Sequence, residues 1–500
     1  VLASIGLGAL ALLWRIRLAG RYDGHEEEDW GNLEIVRGVI DSNFAYVETE
    51  HMPLFAWLAA VVARVIGDVP LACLAVAVVG GAVAVAVTVW IGEKHLGAGV
   101  GIVAGALLVF QPEAALYSAT PLRESLYLAL ALSGIAAVGA RHAPAAAALL
   151  ALAFLARFNV AFTILPALLW TAWRSEDPDD RRRLAGAALA VAAVVFLWAG
   201  YYRSDTGSWA FWGRVVSVNT GDAVSDLFPA ERVAATVGAV AGVFGRVLPA
   251  HVGWAVIPLA VVGGIRVVRE GDERARWIGL CTAATLAFLA LTAAMTTYEW
   301  THNLWWKWIT PSVPLLLLVA AYGAIGLLAR LPRAAAIPTA VGLLVATLAG
   351  YAVETNRQTE LSEVLYGTQV DLAAWAEEAW PVGTAVLTEG IPAAYLRGRQ
   401  SPTPALLWSD PSLPRDDPER LGEWLIARRV GLVMWYQEEW TGAPEAAGFL
   451  AEPRPHRLGR ATLEPIAHEP SYGLIAYVVT APGLAAPSEP APAVAGRLGE

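Results

Sequence analysis

Twelve apolar runs dictate what this chain can fold into. They cover approximately 1–18, 53–66, 70–91, 97–117, 120–140, 143–157, 158–173, 184–202, 251–268, 277–297, 305–329 and 334–352. A helix rising about 1.5 Å per residue needs about 20 such residues to cross a hydrocarbon layer about 30 Å thick. Most of the runs meet or approach that length, and the sequence reads as a polytopic α-helical membrane protein. Composition agrees: 56% of residues are apolar, only 16% are charged, and mean hydropathy is +0.50. Soluble domains carry about 25% charged residues. Cys73 and Cys281 both fall in apolar runs, so no disulfide framework is present to read. The net charge of −10 and the lack of a basic tract exclude nucleic acid as the expected partner. Val1 already lies in an apolar run, which reads as a trimmed first span or a signal anchor.

Orientation follows from the positive charges, which collect on the cytoplasmic side. Arg174 with Arg181–Arg183, the group Arg266, Arg269, Arg274 and Arg276, and the pair Arg330 and Arg333 mark three inner links; Lys94 and Arg141 mark two weaker ones. Working outward, residues 19–52, 203–250 and everything after Tyr351 fall on the external side. That parity lets only one of the runs 53–66 and 70–91 cross. The first is the short one, about 21 Å as a helix, and reads as half-inserted. About eleven transmembrane helices remain; twelve with a cytoplasmic C-terminal domain is the alternative. The chain then divides into a transmembrane part, 1–352, an extracytoplasmic α/β domain, 353–480, and a tail rich in Pro and Ala, 481–500, expected to be disordered. In the small domain, Asp371–Trp380 and Pro418–Arg429 read as helices, and Thr384–Leu387, Val430–Tyr436 and Tyr472–Thr480 as strands. Trp209, Phe211 and Trp212 give the segment 203–250 an interfacial character.

The first external loop is the chemical centre of the sequence. From Asp23 to Glu50 it carries nine carboxylates and one arginine, Arg37, and Glu26–Asp29 are four consecutive acids. Adjacent like charges raise one another's pKa values, which suits a group that takes up a proton or a metal. A solvated acidic loop is the plain alternative. Trp30, Leu33, Val36 and Ile40 then fall on one face of a helix, and the loop closes with Glu50-His-Met-Pro53.

Ionisable groups at membrane depth are functional candidates because burying them there is costly. Glu124 follows Tyr117-Ser-Ala-Thr-Pro-Leu-Arg at the outer start of a helix, Arg157 lies between two short runs, and Lys307 sits among tryptophans before Thr310-Pro311. Each has an ordinary reading: the neighbouring Arg123 pairing with the interface, a snorkelling arginine, an interfacial anchor. Together they place cations and carboxylates at one level on the side of the acidic loop. Cations there suit a lipid phosphate, and carboxylates suit a general base or a metal. His51 could join the cationic wall.

In this order the motifs resemble the GT-C glycosyltransferases that use polyprenyl-phosphate sugars, the group holding protein O-mannosyltransferases and lipid A aminoarabinose transferases. The elements that carry the resemblance are the acidic motif after the first span, a helix with Arg37-Gly38, His51-Met-Pro-Leu54, Tyr117-Ser before Glu124, Leu155-Ala-Arg157, and Lys307 before Pro311 and Pro314. His51-Met-Pro-Leu54 departs from the family's His-Pro-Pro-Leu by one proline, and the family's acid pair is diluted into Glu26–Asp29. The resemblance implies a base among Glu27, Glu28 and Asp29. Counting back from Arg37 puts the pair at Glu28-Asp29, and a one-residue slip puts it at Glu27-Glu28, so Glu28 is first choice. It implies Glu124 as a substrate-site acid, and it puts Lys307 in the place of the family's late basic residue. Lys307, Arg157 and His51 are the expected ligands of the donor phosphate. It implies transfer of a sugar from a polyprenyl phosphate, with inversion, to a hydroxyl of a glycan, lipid or protein acceptor, outside a bacterial-type plasma membrane. No cofactor is required by this reading, although the clustered acids admit a divalent cation, Mg or Mn; no His/Cys spacing supports zinc. A transporter or lipid flippase is the rival, and it would more often show paired broken helices in two matching halves, which this sequence lacks. A scaffold whose external domain binds partners is a third reading.

Overall fold

The computed structural model describes residues 1–20, 27–45, 47, 52–209, 229–295, 308–362, 367–399, 401–414, 417–437, 447–469 and 473–490. His51 and Lys307 lie outside the described residues, as do the side chains of Glu27, Glu28 and Asp29. Contacts divide the chain into two units: Val1–Arg21 with Val39–Asn356, and Tyr22–Gly38 with Arg357–Glu500.

The first unit is helical. Its opening helices are α1 (Leu2–Ala19), α2 (Glu27–Asp41, shared with the second unit), α3 (Leu54–Ile66) and α4 (Val69–Ile91). A π-helical turn, Gly92–Leu96, leads to α5 (Val100–Phe110), α6 (Pro112–Leu116) and α7 (Glu124–Gly139). Then come α8 (Ala143–Ala156), α9 (Asn159–Phe162), α10 (Ile164–Arg174) and α11 (Pro178–Thr206). After the segment 210–228 follow α12 (Pro229–Gly242), α13 (Leu248–Val252), α14 (Val256–Glu270), α15 (Glu273–Met295), α16 (Val313–Leu328) and α17 (Arg333–Ser362). This is an integral membrane protein. Among the described residues, six helices are long and apolar enough to span a bilayer. Two pairs, Ala143–Ala156 with Asn159–Arg174 and Thr236–Val252 with Val256–Glu270, bend by 117° and 103° and bring the number to eight if each counts once.

Polar residues cut several of the apolar runs counted toward the eleven expected spans. The run 97–117 stops as a helix at Phe110: Gln111 caps a new short helix by accepting from the Ala114 N–H at 2.7 Å, and Pro112 follows it. The run 120–140 begins as a helix only at Glu124. The helices α3, α5 and α7 are apolar but shorter than 18 residues. The segment 203–250, read from sequence as an external loop, is helical through Thr206 and again from Pro229.

Helices α14 and α16 cross where two glycines meet. A Cβ added at Gly263 would lie 1.9 Å from the Val319 carbonyl oxygen, and one at Gly323 2.3 Å from that of Leu259. Small residues let two backbones approach this closely, which is how membrane helices gain packing energy where the hydrophobic effect is weak. The obstructing atoms are backbone and cannot rotate away. Gly263→Ala is therefore expected to destabilise the protein by about 1–3 kcal/mol, read as a lower thermal unfolding midpoint of the detergent-purified chain. An unchanged midpoint would contradict the crossing.

The amphipathic reading of α2 holds in its middle. Leu33 and Val36 are fully buried, Val39 joins them, and Glu34 faces out. The turn that ends α2 uses left-handed backbone at Asn43 and Phe44. Arg64 of α3 secures it, donating to Asn43 Oδ1 at 2.8 Å and lying 4.7 Å from the centre of the Phe44 ring.

The second unit contains a six-stranded mixed sheet. Helix α18 (Thr368–Ala379) precedes β1 (Ala385–Thr388), and α19 (Gly390–Gly398) and β2 (Ala405–Leu407) follow it. Helix α20 (Pro418–Ala427) leads into β3 (Val430–Tyr436), then β4 (His456–Leu458), β5 (Ala461–Glu469) and β6 (Leu474–Thr480). The order is β2-β1-β3-β6-β5-β4, parallel at β1–β2 and β1–β3 and antiparallel elsewhere. All seven residues of β3 are buried, as a strand covered on both faces requires. Trp408 donates its indole N–H to the Met434 carbonyl at 2.7 Å, and Tyr477 donates to that of Leu450 at 2.7 Å. The expected disorder of 481–500 does not hold for its first half. Ser488 donates its N–H and its hydroxyl to the Ala379 carbonyl at the end of α18, and Leu484 packs on the core. An unpaired helix-terminal carbonyl is an acceptor that such a tail can satisfy. Residues 491–500 lie outside the described residues.

Candidate active site

Glu27, Glu28 and Asp29, named from sequence, fall within α2, and their side chains lie outside the described residues.

The remaining polar machinery lies in the first unit, at the corner joining α5 to α7. Glu124 opens α7 and Arg157 terminates α8 in an extended conformation. The two side chains, read from sequence as separate walls of a cavity, form an ion pair: Arg157 Nη1 donates to Glu124 Oε1. Both residues are buried. Arg157 Nε also donates to Asn159 Oδ1 at 3.2 Å, and its guanidinium lies 5.5 Å from the centre of the Trp308 ring. Trp308 follows Lys307 in the chain.

This cluster is incompletely satisfied. Among the described residues, Glu124 Oε2, Asn159 Nδ2 and Ser125 Oγ are buried and have no hydrogen-bond partner. Buried polar atoms are normally paired, because leaving one unpaired costs about 1–3 kcal/mol. An acceptor oxygen and an amide donor on the two partners of one guanidinium make a set that a polyhydroxylated, phosphorylated molecule could complete.

Sequence reasoning missed a second buried pair in the same corner. Glu113, on α6, accepts from His251 Nδ1 at 2.5 Å and from Gln111 Nε2. Gln111 also donates to the His251 carbonyl at 3.2 Å, tying α6 to α13. Tyr351 of α17 donates its hydroxyl to the Val252 carbonyl at 2.6 Å and fixes α13 from the other side. A third charge, Arg15, is 1% exposed near the end of α1 and donates to the Ala11 carbonyl of its own helix at 3.3 Å. It fits because α4 has no side chain at that point: a Cβ added at Gly81 would lie 2.3 Å from Ser118 Oγ and 2.6 Å from Arg15 Nε. Glu113 and Arg15 carried the same signal as Glu124, a charge inside an apolar run. Gln111 and Asn159 are uncharged and carried none.

Among the described residues, no group of three His, Cys, Asp or Glu side chains could hold a metal ion. The Glu113–His251 pair supplies two possible ligands only, and the side chains of the clustered acids Glu26–Asp29 lie outside the described residues.

The chain has the GT-C fold. No family model and no curated protein matches the sequence; the likeness is structural. The chain is similar to ArnT from Cupriavidus metallidurans bound to undecaprenyl phosphate, with 13% identity, a TM-score of 0.56, and coverage of 97% of this chain and 99% of that one. The same enzyme in its apo state matches with 14% identity and a TM-score of 0.55, covering 97% and 98%. An Archaeoglobus fulgidus oligosaccharyltransferase, in complex with Zn and sulfate, matches with 11% identity and a TM-score of 0.52, covering 95% of this chain and 73% of that one.

Proposed function

We propose that this protein is an inverting glycosyltransferase that moves a hexosyl or pentosyl group from a polyprenyl phosphate to an acceptor hydroxyl on the outer face of the membrane. The observation that carries the reading is the buried, incompletely satisfied Glu124–Arg157–Asn159 cluster inside a GT-C fold. Arg157, with Lys307 and His51, would meet the anionic phosphate of the donor. A phosphate competes with Glu124 for the guanidinium, and the carboxylate so released can hold a hydroxyl of the sugar. One acid of the α2 turn, Glu28 first, takes the proton of the acceptor hydroxyl. The acceptor oxygen attacks the anomeric carbon, the carbon–oxygen bond to phosphate breaks, and polyprenyl phosphate leaves with the bonding pair. A single in-line displacement inverts the anomeric centre. The acceptor is a glycan, a lipid or a protein.

Mass analysis of lipid-linked sugars in a deletion strain tests this reading. One polyprenyl-phosphate sugar is expected to accumulate while one envelope glycoconjugate loses that sugar. An unchanged lipid-linked pool would contradict it. The outward orientation predicts that single cysteines placed at Ser42, Ser225 and Ser401 are all labelled by an impermeant thiol reagent on intact cells. Labelling at Ser42 with none at Ser401 would place the C-terminal domain inside.

A further inference from the structure

At the end of the first unit where Arg141, Arg174 and Arg181–Arg183 gather lies a cavity that the glycosyl-transfer reading does not use. Its mouth is charged: Arg141, from the turn between α7 and α8, Arg183 and Asp180 of α11, and Glu273 and Arg274 of α15. Its wall is apolar, formed in part by Val138, Ala146, Leu184 and Trp277. The Trp277 indole N–H is already satisfied by the Ile135 carbonyl at 3.0 Å, so the ring adds apolar surface to the wall.

The charges do not cancel. Arg141 Nη2 bridges Asp180 at 3.3 Å and Glu273 at 3.1 Å. Arg183 reaches Asp180 only at 3.9 Å, the outer limit of an ion pair. Arg274 is exposed and holds no ion pair among the described residues. Three guanidinium groups therefore face two carboxylates. Asp180 is 7% exposed and fixes the floor of the mouth. Arg141 holds its position at φ 61°, a left-handed conformation that an arginine adopts at a cost and a glycine would adopt freely. Asp177 and Asp272 each cap one N–H at the N-termini of α11 and α15, and the arginines supply the positive charge at the mouth.

We propose that this cavity binds the phosphodiester headgroup of an anionic phospholipid, with the glycerol and first acyl carbons against the apolar wall. Arginine forks match phosphate oxygens in geometry and charge. The neighbouring surface is of the kind that meets lipid: Trp170, Trp173 and Leu189 on α10 and α11 are 51%, 69% and 68% exposed, and tryptophans concentrate at the headgroup level. A soluble anion would need the arginines and not the apolar wall. Basic pockets between membrane helices bind anionic headgroups on this principle, at about 1 kcal/mol per Lys or Arg.

The test is native mass spectrometry of the full chain in detergent, titrated with phosphatidylglycerol or with phosphatidylcholine of the same acyl chains. One phosphatidylglycerol is expected to be retained, and Arg274→Gln is expected to weaken it about fivefold. Arg274 has no ion pair to lose, so this variant should keep its fold, checked by size-exclusion elution. Arg141→Lys, which keeps charge and loses the fork, should weaken binding as well. Arg330→Gln, at the same end of the bundle but away from the cavity, should leave binding unchanged. Equal retention of both lipids, wild-type binding by Arg274→Gln, or displacement of the lipid by inorganic phosphate at equal concentration would overturn the proposal.

Discussion

Glu28→Gln is expected to lower turnover by at least about a hundredfold at saturating lipid donor while donor binding persists. A positioned general base contributes about 10²–10⁴ in rate, and an amide keeps the shape of the carboxylate but cannot accept a proton. Four consecutive acids in the sequence are expected to raise one another's pKa values, towards the operating pH where a base is most effective. Glu27→Gln and Asp29→Asn belong in the same experiment, because the register of the acid pair slides by one residue. Near wild-type turnover by all three variants would move the base elsewhere, and Glu124 would be the next candidate.

Breaking the Glu124–Arg157 pair should produce the largest loss of stability. Both groups are buried, and removing one partner of a buried ion pair leaves an uncompensated charge at a cost of about 3–5 kcal/mol. Arg157→Gln and Glu124→Gln should each lower the unfolding midpoint of the purified protein sharply. The double variant should recover much of the loss, since two neutral amides can hydrogen-bond where one charge could not. A structural pair alone would leave the double variant active. A phosphate-binding Arg157 requires the double variant to be folded and still defective in using the donor. Additive losses of stability would show that the two groups do not act as a pair.

What could be read from sequence divides along physical lines. Apolar run length is a one-dimensional quantity, and it exposes the helical bundle directly. Strand β3 is legible at its own bounds because Val430–Tyr436 is a continuous apolar run bounded by charge and followed by polar residues. Helix α19 and strands β2, β4 and β5 are not, because short segments such as Ala405–Leu407 owe their structure to a neighbour strand rather than to their own pattern. A charge within an apolar run marks depth but not direction. Glu124 and Arg157 are 33 residues apart in sequence, and nothing local says that they meet. Gln111 and Pro112 show the converse: a cap and a proline are visible locally, yet the run around them looks long enough to span. The docking of Ser488 on the Ala379 carbonyl depends on an acceptor more than 100 residues away, and composition alone reads such a tail as disordered.

The most direct test of glycosyl transfer is the fate of the donor phosphate. The purified chain, reconstituted in liposomes with the lipid-linked sugar that accumulates in the deletion strain and with envelope extract as acceptor, should release free polyprenyl phosphate in step with sugar incorporated into the acceptor. Movement of the intact sugar lipid between leaflets, with no polyprenyl phosphate released, would contradict the account and identify the protein as a carrier.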